Sequence, residues 1–67
     1  EKASRQFDII TMVEPNNAEA YYNRGLCKEL MKKYAEAQED YQQALVFDAQ
    51  NKNTKDALKR IQTFIKK

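Results

Sequence analysis

The chain has 67 residues and a formal net charge of +2, which limits it to one small domain and gives no strong attraction to nucleic acid or anionic membrane. A single cysteine and the absence of histidine exclude an internal disulfide and leave no typical set of zinc ligands. No apolar run approaches the roughly 18–20 residues of a membrane-spanning helix, so we expect no membrane insertion. The unpaired cysteine favours the cytoplasm or another reducing intracellular compartment.

The first helix is predicted before Pro15, where Phe7, Ile10 and Val13 recur at helical spacing. The proline ends that helix, because proline and the residue before it do not continue a helical backbone. Helix-forming residues dominate the rest of the composition, and Gly25 is the sole glycine. The sequence therefore predicts a helical chain with few interruptions.

Three further helices follow, separated by short polar connections. Asn17 can cap a second helix over residues 18 to about 31 through its side-chain oxygen. A third helix is predicted from Tyr34 to Phe47 and a fourth over residues 52–67. Short connections imply antiparallel neighbours, so the predicted fold is all-α, with about four helices arranged as antiparallel hairpins.

The chain repeats itself when it is shifted by 34 residues. The shift aligns Ala3 with Ala37, Phe7 with Tyr41, Val13 with Phe47, Glu14 with Asp48 and Asn17 with Asn51. Pro15 falls on Ala49, so the second connection has lost its proline. The first and third helices are therefore equivalent elements, and the second and fourth form a weaker equivalent pair.

The stretch from Ala18 to Asn51 resembles one complete tetratricopeptide repeat. Its aromatic, glycine and alanine positions match the family pattern at Tyr21, Gly25, Tyr34, Ala37, Tyr41 and Ala44. It departs from that pattern at Arg24, Lys28 and Ala49, where the family usually has a leucine, an aromatic residue and a proline. The resemblance implies an α-solenoid of helix hairpins. It also implies that residues 1–17 are the second helix of a preceding repeat and residues 52–67 a capping helix.

The residue types of this stretch also make physical sense. A glycine inside a helix costs about 1 kcal/mol relative to alanine, so Gly25 indicates the close approach of another helix backbone. Ala37 and Ala44 lie two turns apart on the facing helix and allow close packing. The wider gaps are predicted to be filled by Tyr21, Tyr34 and Tyr41.

The first helix has no hairpin partner within the sequence. Helices of repeat arrays do not bury their apolar faces alone, so we expect Phe7, Ile10 and Val13 to leave apolar surface open. The chain is then expected to self-associate through this N-terminal helix. This supports one interpretation of function, a structural or assembly element that oligomerises or swaps helices without an external ligand.

The resemblance supports the leading interpretation, a scaffold for protein–protein interaction. In the family, the first helices of successive repeats line a concave groove that holds a peptide or partner protein. The positions that match groove-facing spots are Glu19, Tyr22, Asn23, Leu26, Glu29 and Leu30 on the second helix and Asn53, Asp56 and Arg60 on the fourth. Each of these residues is alternatively an ordinary solvated or helix-packing residue.

Some relatives are co-chaperones that bind the carboxylate tail of heat-shock chaperones through a clamp of Lys, Asn and Arg side chains. A co-chaperone-like role would need those side chains. Here only Asn23 matches a clamp position, and the others are occupied by Tyr22, Leu26, Asn53 and Ala57. A chaperone-tail clamp is therefore not expected, although Lys52 and Lys55 lie close to the clamp positions.

Basic residues are concentrated at the end of the chain, at Lys52, Lys55, Lys59, Arg60, Lys66 and Lys67. They can attract an acidic partner, RNA or a membrane surface. The favoured interpretation is a solubilising outer face on a capping helix, because the end of a repeat array needs a polar surface. No nucleic-acid partner is expected.

Nothing in the sequence predicts catalysis or a cofactor. Cys27 has no histidine to act as its base. Gly25 stands alone, so there is no glycine-rich phosphate loop. The neighbouring acids Glu39 and Asp40 point to different faces of a helix and are interpreted as solvated.

Overall fold

The computed structural model describes the backbone of residues 2–65 and the side chains of residues 5–65. Within these residues there are four α-helices, namely α1 (Lys2–Val13), α2 (Ala18–Leu30), α3 (Tyr34–Phe47) and α4 (Lys52–Ile65). The predicted all-α fold of about four helices is confirmed. The side chains of Ala3, Lys66 and Lys67, which the sequence analysis used, lie outside the described range.

Asparagine side chains begin two of the helices. The Asn17 side-chain oxygen accepts a hydrogen bond of 3.0 Å from the backbone N–H of Ala20, as predicted. Asn51 accepts one of the same length from the N–H of Thr54 at the start of α4. Because the first N–H groups of a helix have no partner within it, each cap contributes about 1 kcal/mol. The caps at Asn17 and Asn51 occupy equivalent repeat positions.

The turn between α2 and α3 places Lys32 in the left-handed region, with φ at 63°. The N–H of Lys33 donates to the carbonyl of Lys28, and the N–H of Lys32 donates to that of Glu29, both at 2.9 Å. These two bonds satisfy carbonyls at the end of α2 and turn the chain sharply into α3. A residue with a Cβ atom pays about 1 kcal/mol for this conformation, where glycine is usual.

The helices pack as a row in which α2 contacts α3 most extensively, α1 lies on α2 and α4 lies on α3. The centre of the core lies between α3 and α4, where Ala37, Tyr41, Ala57 and Ile61 are fully buried. Half-buried side chains packed against this centre are Tyr22, Leu26, Tyr34, Leu58 and Ile65. The core therefore joins α2, α3 and α4 into one unit.

Gly25 lies against an aromatic ring: the three atoms nearest to its Cβ position all belong to the Tyr41 side chain, and none belongs to a helix backbone. A Cβ atom at Gly25 would lie 2.6 Å from Cε1 and 2.8 Å from Cδ1 of Tyr41. The absence of a side chain at Gly25 therefore makes room for the Tyr41 ring, which is fully buried. Tyr21, which was expected to fill a gap between helices, is half-buried and stacks on Phe47 with ring centroids 5.7 Å apart.

Arg24 connects three helices through its guanidinium group. Its Nη1 donates to Asp8 Oδ1 at 2.8 Å and to Thr11 Oγ1 at 3.1 Å, both on α1. Its Nε and Nη2 donate to Asp40 Oδ1 on α3 at 3.1 and 2.7 Å. The hydrogen bond to Asp40, which has a larger effect than the one to Asp8, raises the pKa of Arg24. Arg24, which stands where the family usually has a leucine, thus links α1, α2 and α3 through ion pairs.

Asp40 is only 5% exposed, so its interpretation as a solvated acid is wrong. Burial of a carboxylate is tolerated here because the Arg24 guanidinium neutralises it and donates hydrogen bonds to it. Glu39 is exposed, as expected. The second departure from the family pattern, Lys28, similarly pairs with Glu36 across the α2–α3 hairpin at 2.9 Å.

Candidate functional site

A cleft of about 470 Å³ lies between the C-terminal halves of α2 and α4. It is lined by Leu26, Glu29, Leu30, Tyr34, Arg60 and Phe64. The lining includes the predicted groove residues Leu26, Glu29, Leu30 and Arg60. Tyr34 and Phe64 line the same cleft, although neither was predicted to face a groove.

Helical spacing explains why these residues share one surface. Leu26, Glu29 and Leu30 lie three and four residues apart, so α2 presents them on one face. Arg60 and Phe64 are four residues apart on α4 for the same reason. The 34-residue shift places Leu26 on Arg60 and Leu30 on Phe64, so equivalent positions of α2 and α4 face the cleft.

The wall of the cleft contains a hydrogen-bonded ion pair. Arg60 donates through Nε to Glu29 Oε2 at 2.7 Å and through Nη2 to Oε1 at 2.8 Å. The Tyr41 hydroxyl on α3 also donates to Glu29 Oε1, at 2.8 Å. Glu29 therefore links α2 to both α3 and α4.

These contacts change the acidities of the three groups. The Arg60 hydrogen bond, followed by that of Tyr41, lowers the pKa of Glu29, although partial burial opposes the change. The same bond raises the pKa of Arg60. Burial, followed by the hydrogen bond to Glu29, raises the pKa of Tyr41. Glu29 and Arg60 are thus charged and mutually neutralised at neutral pH, and they hold the cleft wall in place.

The floor of the cleft is apolar and partly open to solvent. Leu30 is 84% exposed and Phe64 is 49% exposed. The rings of Tyr34 and Phe64 stack nearly parallel, with centroids 4.5 Å apart and an interplanar angle of 8°. Phe64 could have been found from the sequence because the 34-residue shift places it on Leu30. Tyr34 had been assigned to helix packing, and its half-buried ring serves both the packing and the cleft.

The other predicted groove residues do not line this cleft. Tyr22 and Asn23 are half-buried, and the Tyr22 ring packs on the core at 5.8 Å from the ring centroid of Tyr41. Glu19, Asn53 and Asp56 are exposed. Ala57, which occupies one of the clamp positions of the chaperone-binding relatives, is fully buried. A ligand in a clamp at this position would have no side chain of α4 to contact there.

A second cleft of about 390 Å³ adjoins the first on the other side of the stacked rings. Its lining consists of Lys32, Lys33, Tyr34, Ala35, Glu36, Phe64 and Ile65. Because Tyr34 and Phe64 belong to both linings, the two clefts form one surface. We call it the α2–α4 surface, apolar in the middle and bordered by the two lysines of the turn.

A polar cavity of about 240 Å³ on another side of α2 has all its lining charges except that of Glu39 paired with one another. It is lined by Asp8, Arg24, Lys28, Glu36, Glu39 and Asp40. Arg24 binds Asp8 and Asp40, and Lys28 binds Glu36. Among the described residues there is no cluster of potential metal ligands and no helix able to cross a membrane. The α2–α4 surface is therefore the stronger candidate for a binding site.

Comparison with known proteins identifies one family. The sequence model of the tetratricopeptide repeat matches residues 18–51, just over half of the 67-residue chain. The matched segment contains α2, the turn with Lys32 and Lys33, and α3. No curated protein and no solved structure matches the chain.

Proposed function

The chain belongs to the tetratricopeptide repeat family, and on that premise we propose that it is a scaffold that receives a peptide or a segment of a partner protein on the α2–α4 surface. The repeat is a protein–protein interaction module, and α2 and α4 stand where successive first helices would line a concave groove. The proposal assigns the chain no catalytic step and no cofactor. It places the protein in a reducing compartment, on the basis of the single cysteine.

One observation carries the proposal. Leu30 and Phe64 are large apolar side chains that remain exposed inside a concave surface, although a buried core lies beside them. Burying a leucine or phenylalanine side chain on binding gains about 1.5–3 kcal/mol. Concave, apolar sites with a few fixed polar groups are where proteins bind ligands, and the Glu29–Arg60 pair supplies such groups.

We further propose that α4 caps the array and that α1 is the second helix of a preceding repeat. In the complete repeat, α2 receives α3 through Gly25 and Tyr21. The equivalent positions of α4 are the exposed residues Lys59 and Lys55. Lys59 stands at the position equivalent to Gly25, and its side chain leaves no room for a ring like that of Tyr41. A following helix could therefore not pack on α4 in the way that α3 packs on α2. The polar outer face of α4 suits the end of an array.

The proposed function can be tested by selecting peptides from a random display library against the folded chain. The same selected peptides are then titrated against Leu30→Ser and Phe64→Ser variants. A Val46→Ser variant serves as the matched control, since Val46 is 69% exposed but lies outside both clefts. We expect a loss of about tenfold or more in affinity for the two groove variants, corresponding to the apolar burial above, and none for the control. Equal binding by all four proteins would refute a groove on this surface.

A second candidate function is self-association, which the exposed residues of α1 favour. The sequence predicted that Phe7, Ile10 and Val13 leave apolar surface open. Val13 is exposed, as predicted, whereas Phe7 and Ile10 are half-buried. Ile9 and Met12 are also exposed, and Met12 is the most exposed of the three, at 81%. The chain therefore has apolar surface on α1 available for a second copy.

The repeat shows which part of this surface a preceding helix would cover. Val13 is equivalent to Phe47, which packs on Tyr21 of its hairpin partner. Met12 is equivalent to Val46, which stays exposed although α3 has its partner. A preceding helix would thus cover Val13 and leave Met12 open.

Light scattering over a wide concentration range tests self-association as a function. A strict monomer throughout would eliminate it, and conversion of an oligomer to a monomer by Met12→Ser would support it.

A further inference from the structure

We propose that the α2–α4 surface binds an acidic segment of a partner protein. In this segment a bulky apolar residue stands next to residues with carboxylate side chains, and the segment lies inside the partner's sequence and not at its terminus. The apolar residue enters the cleft over Leu30 and Phe64, and the carboxylates meet Lys32 and Lys33. This inference rests on the proposed function, because it names the chemistry of the partner at the same site.

The two lysines of the turn form no ion pair within the described part of the chain. Lys32 and Lys33 are both exposed. Glu36, the acid that lines the same cleft, binds Lys28 at 2.9 Å, and this bond is the main cause of its lowered pKa, with a smaller contribution from the charge of Lys33. The lysines therefore offer two cationic groups to a ligand.

The remaining charges of the surface neutralise each other. Glu29 accepts two hydrogen bonds from Arg60 and one from Tyr41, so it neither repels an acidic ligand strongly nor leaves Arg60 free to bind one. The charges that would distinguish an acidic from a basic ligand are thus those of Lys32 and Lys33, beside the stacked rings of Tyr34 and Phe64.

The opposite end of α2 and α4 carries charges of both signs, because Lys52 and Lys55 are exposed in the first turn of α4. Glu19 and Asp56 are exposed and make no ion pair with any described side chain. Glu19 precedes Leu30 by eleven positions, which corresponds to about 16 Å along the helix. The acids and lysines of that end offset one another, so a carboxylate of the ligand is attracted most strongly at the turn. We therefore expect the acids of the segment to lie on the side of the apolar residue that faces the turn.

The inference is tested with acetylated and amidated peptides, so that no terminal charge contributes. One peptide carries a leucine beside two glutamates, a second carries the leucine beside two lysines, and a third carries alanine and two glutamates. Fluorescence anisotropy against the full chain measures their affinities. We expect the leucine–glutamate peptide to bind about three- to tenfold more tightly than the leucine–lysine peptide, the range for two exposed ion pairs. The alanine peptide is expected to bind most weakly or not at all.

Two double variants separate local attraction from net charge. Lys32→Gln with Lys33→Gln should remove the preference for glutamate. Lys52→Gln with Lys55→Gln removes the same charge from exposed positions outside both clefts and should keep the preference. An equal loss in both double variants would overturn the inference.

The outcomes also distinguish this inference from the proposed function. If both leucine peptides bind equally and Leu30→Ser abolishes the binding of both, the acidic preference is wrong and the groove stands. If neither leucine peptide binds, the inference is again wrong, and the display selection decides separately whether the surface is a groove.

Discussion

Replacing Gly25 by alanine sets two opposing effects against each other. Alanine in the middle of a helix is favoured over glycine by up to about 1 kcal/mol, because it loses less backbone entropy on folding. The new methyl group, however, would lie 2.6 Å from Cε1 and 2.8 Å from Cδ1 of Tyr41. Carbon atoms prefer separations of about 3.5–4.0 Å, so the ring or the helix must move.

The ring of Tyr41 has little freedom to move away. It is fully buried, and its hydroxyl donates to Glu29 at 2.8 Å. Overpacking of a core costs about 1–3 kcal/mol, and a hydrogen bond to a charged group contributes about 1.5–3 kcal/mol if the movement breaks it. These costs exceed the gain in helix propensity. We expect Gly25→Ala to lower the free energy of unfolding by about 1–3 kcal/mol.

Urea unfolding followed by far-ultraviolet circular dichroism measures this change, with an osmolyte added equally to all variants to keep them folded. The same substitution is made in a Tyr41→Leu background, where the ring is absent. There the helix-propensity gain remains, so Gly25→Ala should be neutral or stabilising. The reasoning fails if Gly25→Ala stabilises the chain that contains Tyr41, or if its cost is the same in both backgrounds.

Three further substitutions follow from single features of the structure. Lys32→Gly should raise the free energy of unfolding by about 0.5–1 kcal/mol in urea denaturation, because φ at Lys32 is 63°, and a decrease would contradict the cost assigned to this turn. Thr54→Val should raise the free energy of unfolding by about 1 kcal/mol, since the buried Thr54 hydroxyl has no hydrogen-bond partner among the described residues and both side chains are β-branched; destabilisation would indicate that this hydroxyl is satisfied. The pKa of Glu29 is lower in the folded chain than its unfolded value of about 4.3, so the stability it contributes is present above that pH and is lost as the pH falls through the folded pKa. Glu29→Gln should therefore lose less stability than the wild type between about pH 6 and pH 3 in thermal unfolding, whereas an unchanged acid dependence would refute a role for the Arg60 pair.

The helices and their boundaries could be predicted because the signals for them are local. Pro15 cannot continue a helix, and Asn17 and Asn51 each cap a helix that begins at the next residue. Each signal acts within a few residues and needs no contact with a distant part of the chain. Short connections then leave antiparallel packing as the available arrangement. The sequence alone therefore determined the all-α fold, and its match to the family pattern was confirmed.

The candidate site could be predicted in part. Leu26, Leu30 and Arg60 were predicted because they match groove-facing positions of the family, and helix periodicity explains why such positions share one face. Phe64 could have been predicted in the same way, because the 34-residue shift places it on Leu30. The stacking of Tyr34 on Phe64 could not, because it depends on how closely the start of α3 approaches the end of α4.

The contacts that hold the repeat together were decided only by the tertiary structure. Sequence periodicity places Gly25 and Tyr41 on facing helices, but whether a ring or a backbone lies over the glycine depends on the distance between the helices and the orientation of the side chain. Asp40 looked solvated because its cation, Arg24, lies sixteen residues away and on another helix. Local patterns define which residues a helix presents, whereas the pairing of buried charges and the filling of space between helices depend on residues that only folding brings together.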